Sequence, residues 1–266
     1  MLIVPGGGRA TASVCDCSVV CKLCNNTRYL FERDTEGRDV ARMCVCEVRR
    51  IRVRLYNEAA IPAKYFDATL HPEFEDGDNR KPFEYLQNLA RRYEKGAKGL
   101  VLMGAPGTGK TFLVCAFLRE LILDRGVPAQ FRDFFHLLAD LRSGYSEDRP
   151  ESDLIGPLVD VEVLVIDELG KGRNTPWEQN ILDVIISHRY NNDKTTVFTT
   201  NYTDSAASTL QERLRSRENP AEGEVIKDTL RDRIGSRIYS RLREMCDFEL
   251  LRGGDRRQPL YDETAS

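Results

Sequence analysis

Four short apolar runs, each closed by glycine or polar residues, mark out the middle and end of the chain: GLVLMG at 99–104, VEVLVIDELG at 161–170, KTTVFTTN at 194–201 and CDFELL at 246–251. The first three are strand-length and poor in polar alternation, and CDFELL is the last predicted strand. This pattern predicts strands buried on both faces, as in a parallel sheet covered by helices. Between the first two the period changes: TFLVCAFLRELILDRG at 111–126 repeats apolar residues at helical spacing until Gly126 stops it. The expected fold class is α/β. HPEFEDGDNRKP at 71–82 is polar with Gly and Pro and reads as a loop ahead of the core, and RLRSRENPAEGE at 213–224 reads as a charged excursion. In RRIRVRL at 49–55 arginines alternate with apolar residues, so it is either a strand edge or a helix start with a basic face, available to phosphate or simply solvated.

The first strand runs into GAPGTGKT, Gly104, Ala105, Pro106, Gly107, Thr108, Gly109, Lys110 and Thr111, and a helix follows. Glycines let a backbone turn tightly enough for its N–H groups to point at phosphate, while the next helix presents its positive end. In such a P-loop Lys110 contacts the β- and γ-phosphates and the Thr111 hydroxyl completes the shell of Mg²⁺. The second run ends in adjacent carboxylates. Asp167 is placed to hold the Mg²⁺ water shell and Glu168 to orient the attacking water, since phosphoryl transfer is mostly positioning and charge stabilisation. The third run ends in Thr199, Thr200 and Asn201, whose side-chain amide is placed to touch the γ-phosphate or the water.

Composition changes this picture little. The 266 residues, 41% apolar, suffice for one α/β core and a small appended module. A formal net charge of −3 argues against a generic polycation that coats nucleic acid, without excluding a local basic surface. No apolar run is long enough to cross a bilayer and MLIVPGGG carries no secretory core, so the chain reads as cytosolic.

Cysteine usage adds a second site. Six of the eight cysteines, Cys15, Cys17, Cys21, Cys24, Cys44 and Cys46, fall in the first 46 residues. In a reducing compartment such clustering points to metal. Cys21-x2-Cys24 and Cys44-x-Cys46 bracket a segment with a turn at Asp34 to Gly37, and a hairpin there would bring the pairs together as a zinc ribbon. Four thiolates leave Zn²⁺ no open position, so the metal is structural. Cys15 and Cys17 are surplus, and either replaces one of the four or stays free. Cys115 and Cys246 fall in a core helix and strand and read as small apolar groups.

In this order the elements resemble the AAA+ ATPases, in the branch of DnaC/DnaI-type helicase loaders and IstB-type transposition helpers. The matching stretches are IPAKYFDATL, GAPGTGKT, AQFRDFFHLLADLRSGY, VLVIDELG, the helix ending HRYNN, FTTN, and GSRIYSRL followed by CDFELLRGGDRR, together roughly residues 55–258. The resemblance implies that Asn201 is the sensor-1 residue. It implies too that an arginine before the last strand acts on a neighbouring subunit's ATP: Arg241, with Arg237 one turn earlier as a second phosphate contact or as the finger itself. Arg257 lies where such loaders carry a terminal sensor arginine. Only fifteen residues follow Leu251, too few for the helical lid of many AAA+ proteins. The cysteine module resembles that of some DnaI-type and phage loaders. By position, Phe134, Phe135, Arg142, Tyr145, Lys171, Gly172 and Arg173 are candidates for gripping a single strand.

The expectation is therefore an ATPase using ATP, Mg²⁺ and Zn²⁺, with a cysteine module at 1–50, a linker at 51–96, an AAA+ core at 97–258 and a tail at 259–266. It would self-associate in its ATP state on single-stranded DNA and a replicative ring helicase. The alternatives are a transposition helper and an ATP-gated adaptor that barely hydrolyses.

Overall fold

The structure, a computed structural model, describes residues 1–14, 20–71, 77–204 and 228–256. Cys15, Cys17, the 213–224 excursion and Arg257 lie outside the described residues.

Two antiparallel hairpins open the chain. Strands β1 (Leu2–Gly6) and β2 (Arg9–Ser13) meet at Gly7 and Gly8, whose φ values of 54° and 81° are the left-handed pair that a two-residue hairpin turn requires. Strands β3 (Tyr29–Arg33) and β4 (Asp39–Met43) form the second. Its turn is fixed by Asp34, whose Oδ1 accepts from the N–H groups of Glu36 at 2.8 Å and Arg38 at 2.9 Å. Arg38 holds the Asp34 carboxyl below its ordinary range.

Helix α1 (Val45–Glu58) follows directly, so RRIRVRL lies inside a helix rather than on a strand edge. The first hairpin is fastened to the end of this helix. Asn57 bonds the Ala12 backbone in both directions at 2.7 and 3.1 Å, Ala10 N–H donates to Ile61 O at 2.7 Å, and Ala10 and Ala12 are buried in the main core. Helix α2 (Arg80–Arg91) starts inside the stretch expected to be loop, with Pro82 tolerated in its first turn, where its missing N–H has no helical partner to lose.

The body is a five-stranded parallel sheet of order β6-β7-β8-β5-β9, made of β5 (Gly99–Met103), β6 (Ala129–Asp133), β7 (Val163–Asp167), β8 (Thr195–Thr200) and β9 (Cys246–Leu250). The runs of β5, β7 and β8 are continuous because both faces are covered, whereas the edge strand β9 is buried at Cys246 and half-buried beyond it. Leu100, Leu102, Val163, Val165 and Val197 pack beneath α1, α2 and helix α3 (Lys110–Glu120). Val101, Met103, Leu164, Ile166 and Phe198 pack against α4 (Phe134–Ser146), α5 (Glu151–Asp160), α6 (Pro176–Asn191), α7 (Leu230–Ile234) and α8 (Ser236–Met245). Helix α3 runs into one π-turn and stops at Gly126, whose φ of 70° is left-handed. Cys115 and Cys246 are buried, which pushes both thiols up. Among the described residues no helix is long and apolar enough to cross a membrane.

One feature of the body escapes sequence reading. Arg189, near the end of α6, is fully buried and forms no ion pair with a carboxylate among the described residues. Its guanidinium donates to the carbonyls of Leu158 and Val161 at 2.8 Å, Thr195 at 2.6 Å and Glu162 at 3.3 Å, and to Thr196 Oγ1 at 2.9 Å. These bonds tie the end of α5 to the starts of β7 and β8. Burial lowers its pKa to about 10, and backbone dipoles replace the lost water.

Candidate nucleotide and metal sites

The C-terminal ends of β5, β7 and β8 lie side by side, and each delivers a predicted group. After β5 the P-loop turns through Gly104, Gly107 and Gly109, whose φ values of 157°, 83° and 100° are all positive. Gly109 caps α3, with Lys110 as its first residue. Lys110 is 7% exposed and its Nζ donates to the carbonyls of Gly104 and Ala105, both at 2.8 Å, so its cation rests over the loop's mouth. Thr108 is buried and braces the loop through Ala105 O at 3.0 Å.

The chain after β9 runs along this loop. Leu251 N–H donates to Met103 O, Asn79 holds the Arg252 backbone at 2.8 and 3.0 Å, and Arg256 N–H donates to Gly107 O at 3.1 Å. A Cβ on Gly107 would come within 2.2 Å of the Asp255 carboxylate, so no larger residue fits between loop and strap.

At the end of β7 Asp167 is 5% exposed, and Thr111 Oγ1 donates to both its carboxylate oxygens at 3.1 Å. A hydroxyl and a carboxylate facing each other beside a phosphate loop are the hard oxygen donors Mg²⁺ takes, so these residues fit the ion. Thr199 Oγ1 also donates to Asp167, and the same hydroxyl accepts from Glu168 N–H at 2.9 Å, orienting both acids at once. Thr200 Oγ1 bonds Leu169 O at 2.8 Å. Sequence reasoning gave Thr199 no such role; two threonines at the end of a buried strand were the available signal.

Glu168 has a left-handed φ of 56°, rare for a residue with a side chain, and its carboxylate pairs with Lys171. Asn201 follows β8 directly, and Gly104 N–H donates to Thr200 O at 3.2 Å, which sets Asn201 beside the start of the P-loop.

Burial raises the Asp167 carboxyl to about 6 from its ordinary 3.8; the bonds from Thr199 and Thr111 oppose this and the Glu168 charge adds to it. Because Mg²⁺ requires the ionised carboxylate, Mg²⁺-dependent nucleotide affinity is expected to fall about tenfold per unit as the pH drops below about 6. Titrating a fluorescent nucleotide at fixed Mg²⁺ checks this. Asp167→Asn separates the protein's proton from the nucleotide's own, and a wild-type profile parallel to that of the variant would rule the effect out. For folding the sign is opposite. A raised carboxyl pKa contributes stability that is present below 3.8 and is lost as the pH rises through about 6.

The arginines before β9 lie on α8. Arg241 Nη1 is 2.5 Å from Asp183 Oδ1 on α6, and Arg237 Nη1 is 3.5 Å from Asp183 Oδ2. The candidate strand-gripping residues are divided. Phe134 is a core residue at 4% exposure, a correction to its nomination, whereas Phe135 is 54% exposed. Arg142 lies over the Trp177 ring at 4.7 Å, with Tyr145 edge-on to the same ring. Lys171 pairs with Glu168, the Gly172 carbonyl accepts from Arg233, and Arg173 is exposed.

The cysteines converge as the hairpin reading requires. Cys21, Cys24, Cys44 and Cys46 bring four Sγ atoms within 4.8 Å of one another, with Cys21–Cys44 at 3.8 Å and Cys24–Cys46 at 3.5 Å. A tetrahedral ion with Zn–S bonds of about 2.3 Å has S–S edges of roughly 3.8 Å, so the set fits Zn²⁺. Backbone N–H groups of Cys24 and Leu23 aimed at Cys21 lower its thiol to about 6. Burial and the neighbouring thiols push Cys46 up to about 12, a crowding that a dication relieves.

A P-loop after one strand, an acidic pair after a second and a polar strand end between them, on a parallel sheet of this order, define an AAA+ ATP-binding core. Residues 41–212 match the family of IstB-like ATP binding proteins, more than half of the chain, and the chain belongs to that family. It is 26% identical over 203 residues to the uncharacterised protein YqaM of Bacillus subtilis, the match covering 70% of this chain and 63% of YqaM. With the replicative helicase loader DnaC of Escherichia coli K12 it shares 28% identity over 134 residues, 48% of this chain and 54% of DnaC. The chain thus spans about half to two thirds of these two relatives. A crystal structure of the DnaC helicase loader superposes with a TM-score of 0.57 at 27% identity, covering 71% of this chain and 99% of that one. A DnaI structure, at 22% identity and a TM-score of 0.53, shares the fold.

Proposed function

We propose that the protein is an ATPase of the helicase-loader kind that assembles in its ATP state, grips single-stranded DNA and engages a replicative ring helicase from the cytoplasm. The observation that carries the reading is a division within the site. One chain supplies the phosphate loop, the Thr111–Asp167 metal pair and Glu168, whereas the two arginines on α8 are paired with Asp183 and not with these acids. A site so divided hydrolyses when a neighbouring subunit completes it. The likeness to DnaC loaders supports the helicase as partner.

For DNA, Arg142 stacked on Trp177 beside Tyr145, with exposed Phe135 and Arg173, supplies the mix of cation and aromatic faces that single strands use. For the partner, the hairpin β3–β4 offers Tyr29, Phe31 and Met43, which are 45, 75 and 42% exposed and share one face because Tyr29 pairs with Met43 and Phe31 with Ala41. Such apolar exposure on a small module marks an interaction surface. It favours the loader over the transposition helper, which has less need of a separate docking module.

The test uses the full chain. Removing residues 1–50 would cut α1 and strip the first hairpin from the core. Tyr29→Ser with Phe31→Ser is expected to abolish capture of a purified ring helicase while keeping ATP-dependent binding to single strands. Arg142→Ala with Arg173→Ala should do the reverse, with a shallower salt dependence. Normal helicase capture by the hairpin variant removes β3–β4 as the docking surface, whereas no helicase capture by the unaltered chain together with binding to duplex DNA alone transfers the reading to a transposition helper.

A further inference from the structure

We infer that Asp183 is a positioning residue for the trans-acting arginines: it gathers Arg237 and Arg241 onto one carboxylate and presents them together to a neighbouring subunit's triphosphate. The inference rests on the reading of those arginines as groups that complete the neighbour's site.

The two arginines stand four residues apart on α8, one turn along the same face, where like charges push each other away. Nothing in α8 alone would keep both guanidiniums together. Asp183 comes from the middle of α6, which packs against α8, and offers one oxygen to each arginine: Oδ1 to Arg241 at 2.5 Å, Oδ2 to Arg237 at 3.5 Å. The carboxylate is itself oriented from its own helix, because Ser187 Oγ donates to Oδ1 at 3.3 Å.

Exposure separates the two roles. The side chains of Asp183 and Arg241 are 24 and 22% exposed, so this pair is an anchored, half-desolvated base. Arg237 is 74% exposed and, among the described residues, is held by the longer contact alone, so it keeps the freedom to reach outward while its starting position is set. Holding cations near the place they must occupy removes ordering cost from the catalytic step and leaves nucleotide binding by the owner of the P-loop untouched. Asp183 therefore acts on turnover in the neighbour and not on ATP affinity in its own chain.

The experiment mixes two inactive chains. The acceptor carries Arg237→Ala and Arg241→Ala with an intact P-loop; the donor carries Glu168→Gln, which keeps ATP binding and loses its own turnover, with intact arginines. At saturating donor, the acceptor's turnover is restored. Donors that also carry Asp183→Ala are expected to restore roughly ten- to hundredfold less turnover at an unchanged half-saturating ATP concentration. Asp183→Asn, which keeps the shape, falls between, and guards against a donor that fails to fold. The same substitution placed in the acceptor, whose arginines are gone, leaves rescue within about twofold, which a general structural role of Asp183 would not allow. Equal or better rescue by the Asp183→Ala and Asp183→Asn donors overturns the inference alone. No rescue even by the donor with Asp183 intact overturns the trans-acting reading and the inference with it.

Discussion

Lys110→Ala is expected to abolish ATP binding, whereas Glu168→Gln keeps binding and loses turnover by about a hundred- to a thousandfold. Lys110 is nearly buried, with its ammonium directed at the carbonyls of Gly104 and Ala105, so the loop already holds a cation where phosphate oxygens arrive. Two charge-assisted contacts to phosphate disappear with it, each worth about 1.5–3 kcal/mol, which together exceed a hundredfold in affinity. Glu168 is held instead by groups outside the phosphate loop, Thr199 and Lys171. Its backbone is set by the Thr199 hydroxyl and its carboxylate by Lys171, so the amide of glutamine keeps the fold and removes only the charge that polarises water. Calorimetric titration with ATP and steady-state phosphate release separate the two variants. Equal loss of binding in both would remove Glu168 from the catalytic role. The pairing also changes how Lys171 is read: a lysine bonded to the acid proposed to orient water belongs to the proposed nucleotide site as much as to any DNA face.

The core was legible because burial on both faces leaves a mark in the sequence. Strands β5, β7 and β8 read as apolar runs, and the P-loop and the acidic pair lie at the C-terminal ends of two of them. The hairpin that assembles the cysteines was legible too, because spacing and a turn suffice to define it. Less visible were contacts that pair polar groups far apart in the chain. Arg189 looks like a solvated arginine at a helix end until the carbonyls of Leu158, Val161 and Thr195 are seen around it. Asp183 is one acid on an amphipathic helix, and its partners lie 54 and 58 residues away. The hairpin β1–β2 buries just Ala10 and Ala12, residues too small to stand out in any apolar pattern, with Ile3 partly buried beside them. RRIRVRL lies inside α1, which runs from its N-cap Cys44 and first-turn Cys46 to the buried Tyr56 near its other end, a span that alternation of arginines with apolar residues does not reveal.

Removing the zinc proposed for the four cysteines should therefore unfold the module, and the unfolding should stop within α1. Between residues 20 and 43 only Cys24 is a buried apolar side chain among the described residues, while Tyr29, Phe31, Val40 and Met43 are exposed. A hairpin with so little apolar burial cannot meet its ordering cost alone, whereas structural zinc contributes about 10–16 kcal/mol at neutral pH. Cys44 is the N-cap of α1 and Cys46 lies in its first turn, so that turn loses its anchor along with the hairpin. The far end of the helix is held independently by fully buried Tyr56 and Ala59 and by Asn57 on the first hairpin. Metal analysis is expected to give about one zinc per chain, lost in Cys44→Ser. Hydrogen exchange should then show lost protection through β3, β4 and the start of α1, with Tyr56 and the P-loop helix unchanged and ATP still bound. Zinc-free protein that keeps its β3–β4 amides protected would show that the four thiols are not a metal site, and loss of ATP binding in Cys44→Ser would show that α1 carries the disturbance into the core.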